Sequence, residues 1–530
     1  MAEQWWLDVG DDRFWKSLLI IGVLLNVTVC FTSDLGVDTH VRLAADDGEL
    51  PWGHTRPIDP QSSDPDYSPT TSATKYDALG SQLGGELGIR IISLLFTLLL
   101  IGLTYASVGM VRGDDGSRRI GIRAAALVAI YPTFIFSTGR GYSESILATL
   151  LIIALIPHLL SNVENSRKNR LLAVIMSTVM LAGILAVKGY DMVMAIPVGV
   201  LMMAWFALDW NQPSFHNISR NPLRAGKATV LLVGLLMLAL GASGNGGSLA
   251  VIASAPARFA SALLISAFDI IVVYMLFGMV LWPFVHCTLS RLGDIEDQMA
   301  TILTVVVSGF VTAITIYVAA LWTYESLLWD SPWPWVTWTM GNNGRYISLV
   351  MVPTIMLLTR IKSLDSTMPF FDQPTKRTKA VLVGCLLILP ISILTAVHGR
   401  TMWTDDAAEV LDINLEDGED FLFIHDATLG MHHLYTFHTG IDSVEERNVT
   451  GHWRAPGSGW QDELVNGVEM ENRGNLSNVQ WIVFAPGTYW VDGYPEGWNM
   501  RVLGHADFMN GGGDWEIWST HVPEPEIGPF

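Results

Sequence analysis

The stretch TSDLGVDTHVRLAADD, Thr32 to Asp47, places Asp34 and Asp38 four residues apart and follows them with His40 and Arg42. If the chain stays helical here, both carboxylates share one face. Like charges held that close repel unless a cation relieves them. The pair therefore suits a general base, or a seat for a divalent cation such as magnesium or manganese. A plainer account has Asp34 capping a short surface helix and Asp38 facing water, since acidic residues crowd the whole loop.

A second group lies in STGRGYSESILATL, where Arg140, Tyr142 and Glu144 precede an apolar run. Ser143 can cap that helix, and Glu144 in its first turn complements the helix dipole. Capping leaves Arg140 and Tyr142 unexplained. They suit a phosphate and the face of a sugar or prenyl chain. Lys188, in AVKGYDMV, pairs with Asp191 or with a phosphate. Arg345 and Tyr346, in NGRYISLVMVP, follow a loop with four tryptophans that suit either interfacial anchoring or sugar stacking. Arg345 needs an anion, and lipid headgroups and a substrate phosphate both qualify.

The elements that must position these residues are membrane spans. Of 530 residues half are apolar and only 15% charged, with a mean hydropathy of +0.36, too little charge for a water-soluble chain of this length. Eleven apolar segments are predicted to span, at 14–31, 89–111, 122–138, 143–160, 171–188, 191–208, 228–243, 260–288, 298–322, 346–360 and 380–397. The first lacks a cleavage site and reads as a retained span. Lys and Arg concentrate in alternate loops, which sets the N terminus in the cytoplasm and loop 32–88 outside. An odd number of spans then carries the C-terminal region outside too. The expected domains are 1–397, a transmembrane domain with the long external loop 32–88, and 398–530, an extracytoplasmic domain.

The net charge of −20 comes largely from the external parts and excludes a nucleic-acid partner. Cys30, Cys287 and Cys385 lie in or beside spans, so no disulfide framework or thiolate cluster is expected outside. From 399 onward the chain shows little helical periodicity. Segments DFLFIHDA, LYTFHTG, NVQWIVFA and GTYWVDGY between Gly, Asn and Pro turns predict a small β-rich domain. His425, His432, His433 and His438 are spaced irregularly and read as surface or turn residues in preference to metal ligands. Asn448 and Asn475 stand in glycosylation sequons.

TSDLGVDTH at 32–40, GRGYSESILATL at 139–150 and NGRYISLVMVP at 343–353, in that order and on one side, together resemble the GT-C glycosyltransferases. The resemblance is to the protein O-mannosyltransferase and lipid A aminoarabinose transferase type. It implies a GT-C-like polytopic α-helical membrane protein of about eleven transmembrane helices. It implies a polyprenyl- or dolichyl-phosphate-linked sugar donor, a membrane lipid environment, and a glycan, lipid or protein acceptor. A first-loop carboxylate, Asp38 before Asp34, would be the base of an inverting transfer. His40, Arg140, Tyr142, Glu144, Lys188, Arg345 and Tyr346 would bind substrate. The WWDYG signature of oligosaccharyltransferase catalytic subunits is absent; the aromatic loop here reads WPWVTWTMG. Two rivals are a transporter or flippase of lipid-linked sugars, which calls for mid-membrane charge and internal repeats, and a non-catalytic protein that displays its C-terminal domain.

Overall fold

The computed structural model describes residues 12–36, 39, 75–112, 117–164, 166–188, 192–244, 247–328, 333–334, 337, 343–365, 367–368, 376–397, 403–416, 418–425, 437, 450–467, 476–506 and 512–521. They divide into two compact units. The first comprises Met1–Thr32, Thr74–Tyr324 and Thr337–Val397, and the second Ser33–Ala73, Glu325–Val336 and His398–Phe530.

The first unit is a helical bundle. Its main helices are α1 (Asp12–Thr32), α2 (Lys75–Arg112), α3 (Ser117–Ala129), α4 (Pro132–Arg140), α5 (Glu144–Glu164), α6 (Arg167–Val187), α7 (Ala195–Asn211), α8 (Pro222–Ala242), α9 (Pro256–Arg291), α10 (Gln298–Leu328), α11 (Met351–Leu364) and α12 (Lys376–Val397). Every predicted apolar segment falls on helix. Seven helices among the described residues are long and apolar enough to cross a membrane, or eight if α3 and α4 form one bent span. That is fewer than the eleven apolar segments, in part because Glu144–Leu160 and Val383–Ala396 fall short of 18 residues. The chain is a polytopic α-helical membrane protein. Leu172, Val179, Leu201, Leu231 and Leu236 stand exposed on α6, α7 and α8, as hydrocarbon-facing positions do. The core gathers Trp15, Leu100, Leu127, Phe134, Leu147, Ile152, Leu303, Val352 and Ile355.

The segment predicted as one span at 122–138 is broken, with a bend of 54° between α3 and α4. Pro132 opens α4 without an N–H, and Tyr131 before it is extended (φ −71°, ψ 124°). Such a break strands carbonyls where no water can reach them. Two side chains take them up. Asn26 of α1 donates to Ala129 O at 3.0 Å and to Gly22 O at 2.8 Å, and the Ser392 hydroxyl of α12 donates to Ile130 O. Gly22 allows the approach, since a Cβ there would lie 2.5 Å from the Ala129 carbonyl carbon. Asn26→Leu is expected to cost about 1–3 kcal/mol, the penalty for buried groups left without partners. Thermal unfolding in detergent checks this, and an unchanged midpoint would remove Asn26 from the account.

At other helix ends, ion pairs, one buried and one partly buried, hold basic-loop residues in place. Arg170 Nη1 meets Asp209 Oδ2 at 3.3 Å, where Asp209 also accepts the Ser219 hydroxyl, and Arg360 Nη2 meets Asp297 Oδ2 at 2.7 Å.

The second unit is built on a five-stranded sheet of order β2-β1-β3-β5-β4: β1 (Asp420–Ile424), β2 (Thr450–Arg454), β3 (Val479–Phe484), β4 (Asn499–Ala506) and β5 (Gly513–Ser519). β2, β1 and β3 run parallel, and β5 runs antiparallel to both of its neighbours, β3 and β4. The central strands DFLFI and VQWIVF are buried on both faces, so their apolar residues run almost without interruption. Phe421, Phe423, Trp481 and Val483 pack on one face with Trp403, Ala407 and Leu411 of helix α13 (Trp403–Asn414). Leu422, Ile424, Ile482 and Phe484 pack on the other with Trp460 of helix α14 (Trp460–Asn466), Trp490 and Trp498.

Three sequence expectations are corrected here. α1 stops at Thr32 and residues 33–36 are not helical; the Asp34 carboxylate accepts the N–H of Leu35 at 2.7 Å, a local bond that competes with helix continuation. The expected poverty of helix beyond 399 overlooks α13, whose first turn carries Asp405 and Asp406 against the helix dipole. GTYWVDGY is a loop. Gly487 and Gly493 take φ of 82° and 80°, and Gln461 serves as its hydrogen-bonding partner where a strand would otherwise be. The N–H groups of Val491 and Asp492 donate to Gln461 Oε1 at 3.0 and 3.3 Å, and Gln461 Nε2 donates to Gly493 O at 2.6 Å.

Candidate functional site

The turn GRGYSE is fixed from within the bundle. Gly141 closes α4 in the left-handed region (φ 66°), and the Tyr142 N–H reaches Ser137 O at 2.9 Å. The Ser137 hydroxyl returns to Tyr142 O at 2.9 Å, and Ser93 of α2 donates to both carbonyls, at 3.2 and 3.3 Å. Thr97 Oγ1, one helical turn on, lies 2.8 Å from Thr138 Oγ1 and 2.7 Å from Ser145 Oγ; Thr138 continues to Asn26 Oδ1 at 3.1 Å. This chain of hydroxyls runs from the bend in α3–α4 to the first turn of α5. It holds Arg140, Tyr142 and Glu144 in buried positions.

Arg345 arrives on a one-turn helix, Asn343–Ile347, tied to α4 by the Thr133 hydroxyl on Gly344 O at 3.2 Å. Its Nε and Nη2 donate to Glu144 Oε1 at 3.0 and 2.9 Å. Its guanidinium carbon lies 4.1 Å from the Tyr142 ring centroid and 5.9 Å from that of Tyr346. Lys188 Nζ stands 5.1 Å from the Tyr346 ring, which meets Tyr317 edge-on at 5.7 Å. On the other flank Arg140 lies over Phe136 at 5.8 Å, and Phe136 meets Tyr142 at 5.6 Å. Three cations and four aromatic rings thus form one series of contacts, in which Arg345 bonds the Glu144 carboxylate.

Glu144 is 1% exposed. Arg345 engages only Oε1, and the buried Oε2 makes no hydrogen bond among the described residues. A buried carboxylate oxygen in that position is an acceptor for a ligand hydroxyl.

Arg140, Tyr142, Glu144, Lys188, Arg345 and Tyr346 are therefore brought together from three separate stretches of sequence. The anion that Arg345 needs within the chain is Glu144. Asp34 belongs to the second unit and is half-buried. Asp38, His40, Asp191, His432, His433, His438, Asn448 and Asn475 lie outside the described residues. His425 is buried and stacks on Phe423 and Trp403. No group of three or more His, Cys, Asp or Glu residues placed to hold a metal ion occurs among the described residues. Sequence reasoning missed Ser93, Thr97, Asn26 and Thr138, although Ser93 and Thr97 are four apart in an otherwise apolar run, the spacing of one helix face. It also missed Phe136 and Tyr317, which nothing distinguishes from the core aromatics around them.

No family model and no curated protein sequence matches the chain. Among solved structures it is similar to the Archaeoglobus fulgidus oligosaccharyltransferase in the apo form, at 14% identity and a TM-score of 0.37, over 91% of this chain and 70% of that one. It is also similar to ArnT from Cupriavidus metallidurans in the apo state, at 12% identity and a TM-score of 0.37, over 96% and 98% of the two chains. For ArnT bound to undecaprenyl phosphate the identity is 12% and the TM-score 0.33, over the same shares. At such scores the functional reading stands on the chain's own residues.

Proposed function

We propose that the protein is a GT-C-type glycosyltransferase with about eleven spans. It moves a sugar from a polyprenyl- or dolichyl-phosphate donor to a glycan, lipid or protein acceptor at the extracytoplasmic face. The observation that carries this reading is the clamp of Arg345 on one oxygen of buried Glu144, which leaves the other oxygen without a hydrogen bond among the described residues, while the same guanidinium lies over Tyr142, and Lys188 lies over Tyr346. Guanidinium and ammonium groups bind phosphate and stabilise it as it leaves. Glu144 Oε2 accepts a sugar hydroxyl and fixes the ring, while Tyr142 and Tyr346 offer faces to it. Transfer from a phosphate needs one base and no covalent intermediate. We assign the base to Asp38, then Asp34, and a magnesium or manganese ion, if used, to the same loop; His40 joins the substrate contacts there. From the alternation of basic loops we infer a cytoplasmic N terminus, with loop 32–88 and residues 398–530 outside.

Binding of a radiolabelled polyprenyl-phosphate hexose to the protein in nanodiscs tests the reading. Unlabelled polyprenyl phosphate is expected to compete and polyprenol to compete weakly. Arg140→Ala and Lys188→Ala are each expected to weaken binding about 10- to 100-fold, the worth of a charge-assisted hydrogen bond. Equal competition by polyprenol would show that the phosphate is not what is recognised, and the assignment of the cations would fall.

A further inference from the structure

Of the seven exposed large apolar side chains among the described residues of the sheet unit, five lie on β4 and the loop that leads into it; Ile413 and Val465 stand on helices α13 and α14. Tyr489 (70% exposed), Val491 and Tyr494 (64%) lie on the loop between β3 and β4, and Met500 and Leu503 on β4, at the sheet edge. Apolar surface gathered this way marks an interaction site. Its parts are contiguous. Tyr494 meets Trp518 of β5 at 5.1 Å with the rings 38° apart, and Met500 is the cross-strand partner of Trp518, so both share its face of the sheet.

The surface is also held rigid. Trp518 Nε1 donates to Glu516 Oε2 at 2.7 Å, which sets the plane of the indole, and buried Trp490 meets it edge-on at 5.7 Å from beneath. Gln461 pins the loop backbone through the three bonds given above, and Trp490 and Trp498 anchor the loop in the core. Rings ordered in advance bind at little entropic cost.

The polar groups decide what fits. Asp492 and Glu496 stand exposed on the same loop, and Glu516 lies beside Trp518. Residues 399–530 contain 23 Asp and Glu against five Lys and Arg. An anionic lipid surface, a phosphorylated glycan or a nucleic acid would be repelled. An apolar partner helix would bury these carboxylates without compensation. A neutral sugar chain satisfies both halves of the surface, its C–H faces lying on the rings and its hydroxyls donating to the carboxylates.

We propose that the Tyr494–Trp518–Met500 surface, with Asp492, Glu496 and Glu516 around it, is a binding platform for a neutral oligosaccharide. It stands independently of the transfer reading, because it would hold a glycan whether or not the chain moves a sugar. The test titrates maltohexaose, cellohexaose and mannohexaose separately onto the full chain in phosphatidylcholine nanodiscs, reading tryptophan emission and saturation transfer to the sugar. At least one hexasaccharide binds saturably, with saturation transfer strongest at the pyranose C–H protons. Tyr494→Ala weakens that binding about tenfold and Tyr494→Phe retains it. Tyr494 is exposed enough that neither substitution threatens folding. Absence of saturable binding for all three sugars, or equal affinity in Tyr494→Ala, overturns the proposal. So does quenching by brominated phosphatidylcholine that Trp518→Phe removes, which would assign the patch to the bilayer surface.

Discussion

Arg345→Ala, purified in lipid, is expected to lose sugar transfer by about 100- to 1000-fold, the cost of removing one electrostatic stabiliser of a leaving group, and to unfold more readily by about 3–5 kcal/mol. The stability loss follows from Glu144, 1% exposed, whose carboxylate would be left buried without the guanidinium that donates to it twice. The two effects have different origins, and a second variant separates them. In Arg345→Ala/Glu144→Gln the uncompensated charge is gone, so the melting temperature returns most of the way toward wild type. Transfer does not return, because both the cation for the phosphate and the carboxylate for the sugar hydroxyl are missing. Recovery of turnover in the double variant would make the pair a scaffold and remove it from the site.

The second large effect is expected in the sheet unit. Arg454 and Glu463 are each 2% exposed and joined twice, Nε to Oε2 at 2.8 Å and Nη2 to Oε1 at 2.5 Å, while Nη1 donates to Trp453 O. Glu463→Ala leaves the guanidinium charge buried and costs about 3–5 kcal/mol. That is a large part of the roughly 5–15 kcal/mol that holds a domain folded. Hydrogen exchange of the intact chain should show β1, β2 and β3 losing protection while the bundle keeps its own. α14 carries both Glu463 and Gln461, so the same substitution is expected to loosen the loop at 487–498 and abolish hexasaccharide binding. Arg454→Met with Glu463→Leu replaces the pair by packing and restores protection to within about 1 kcal/mol. Unaltered exchange in Glu463→Ala would mean the pair is dispensable.

The bundle was legible because hydrocarbon thickness imposes a length on every crossing segment, and all eleven apolar runs fall on helix. The bend at Tyr131 was hidden by the same apolarity, although Pro132 carried its signal. Arg140, Tyr142, Glu144, Lys188, Arg345 and Tyr346 could be picked out singly, as polar residues at the edges of apolar runs. Their pairing could not, because Glu144 and Arg345 are 201 residues apart and only packing brings them together. In the sheet unit β1 and β3 were visible as strand segments, read as alternating apolar and polar residues, whereas both strands are buried on both faces. The loop at 487–498 mimics a strand in composition, and its hydrogen bonds go to a glutamine side chain that no periodicity reveals.

The most direct measurement is transfer of radiolabelled sugar from a panel of polyprenyl-phosphate sugars, supplied with glycan, lipid and peptide acceptors, by the purified protein in lipid, with wild type and Asp38→Asn side by side. The account predicts label on an acceptor with the wild type alone, both proteins inserting in the membrane and binding donor equally. Equal turnover by Asp38→Asn would contradict the assignment of the base, and failure of the wild type to bind any donor would contradict the transferase reading itself.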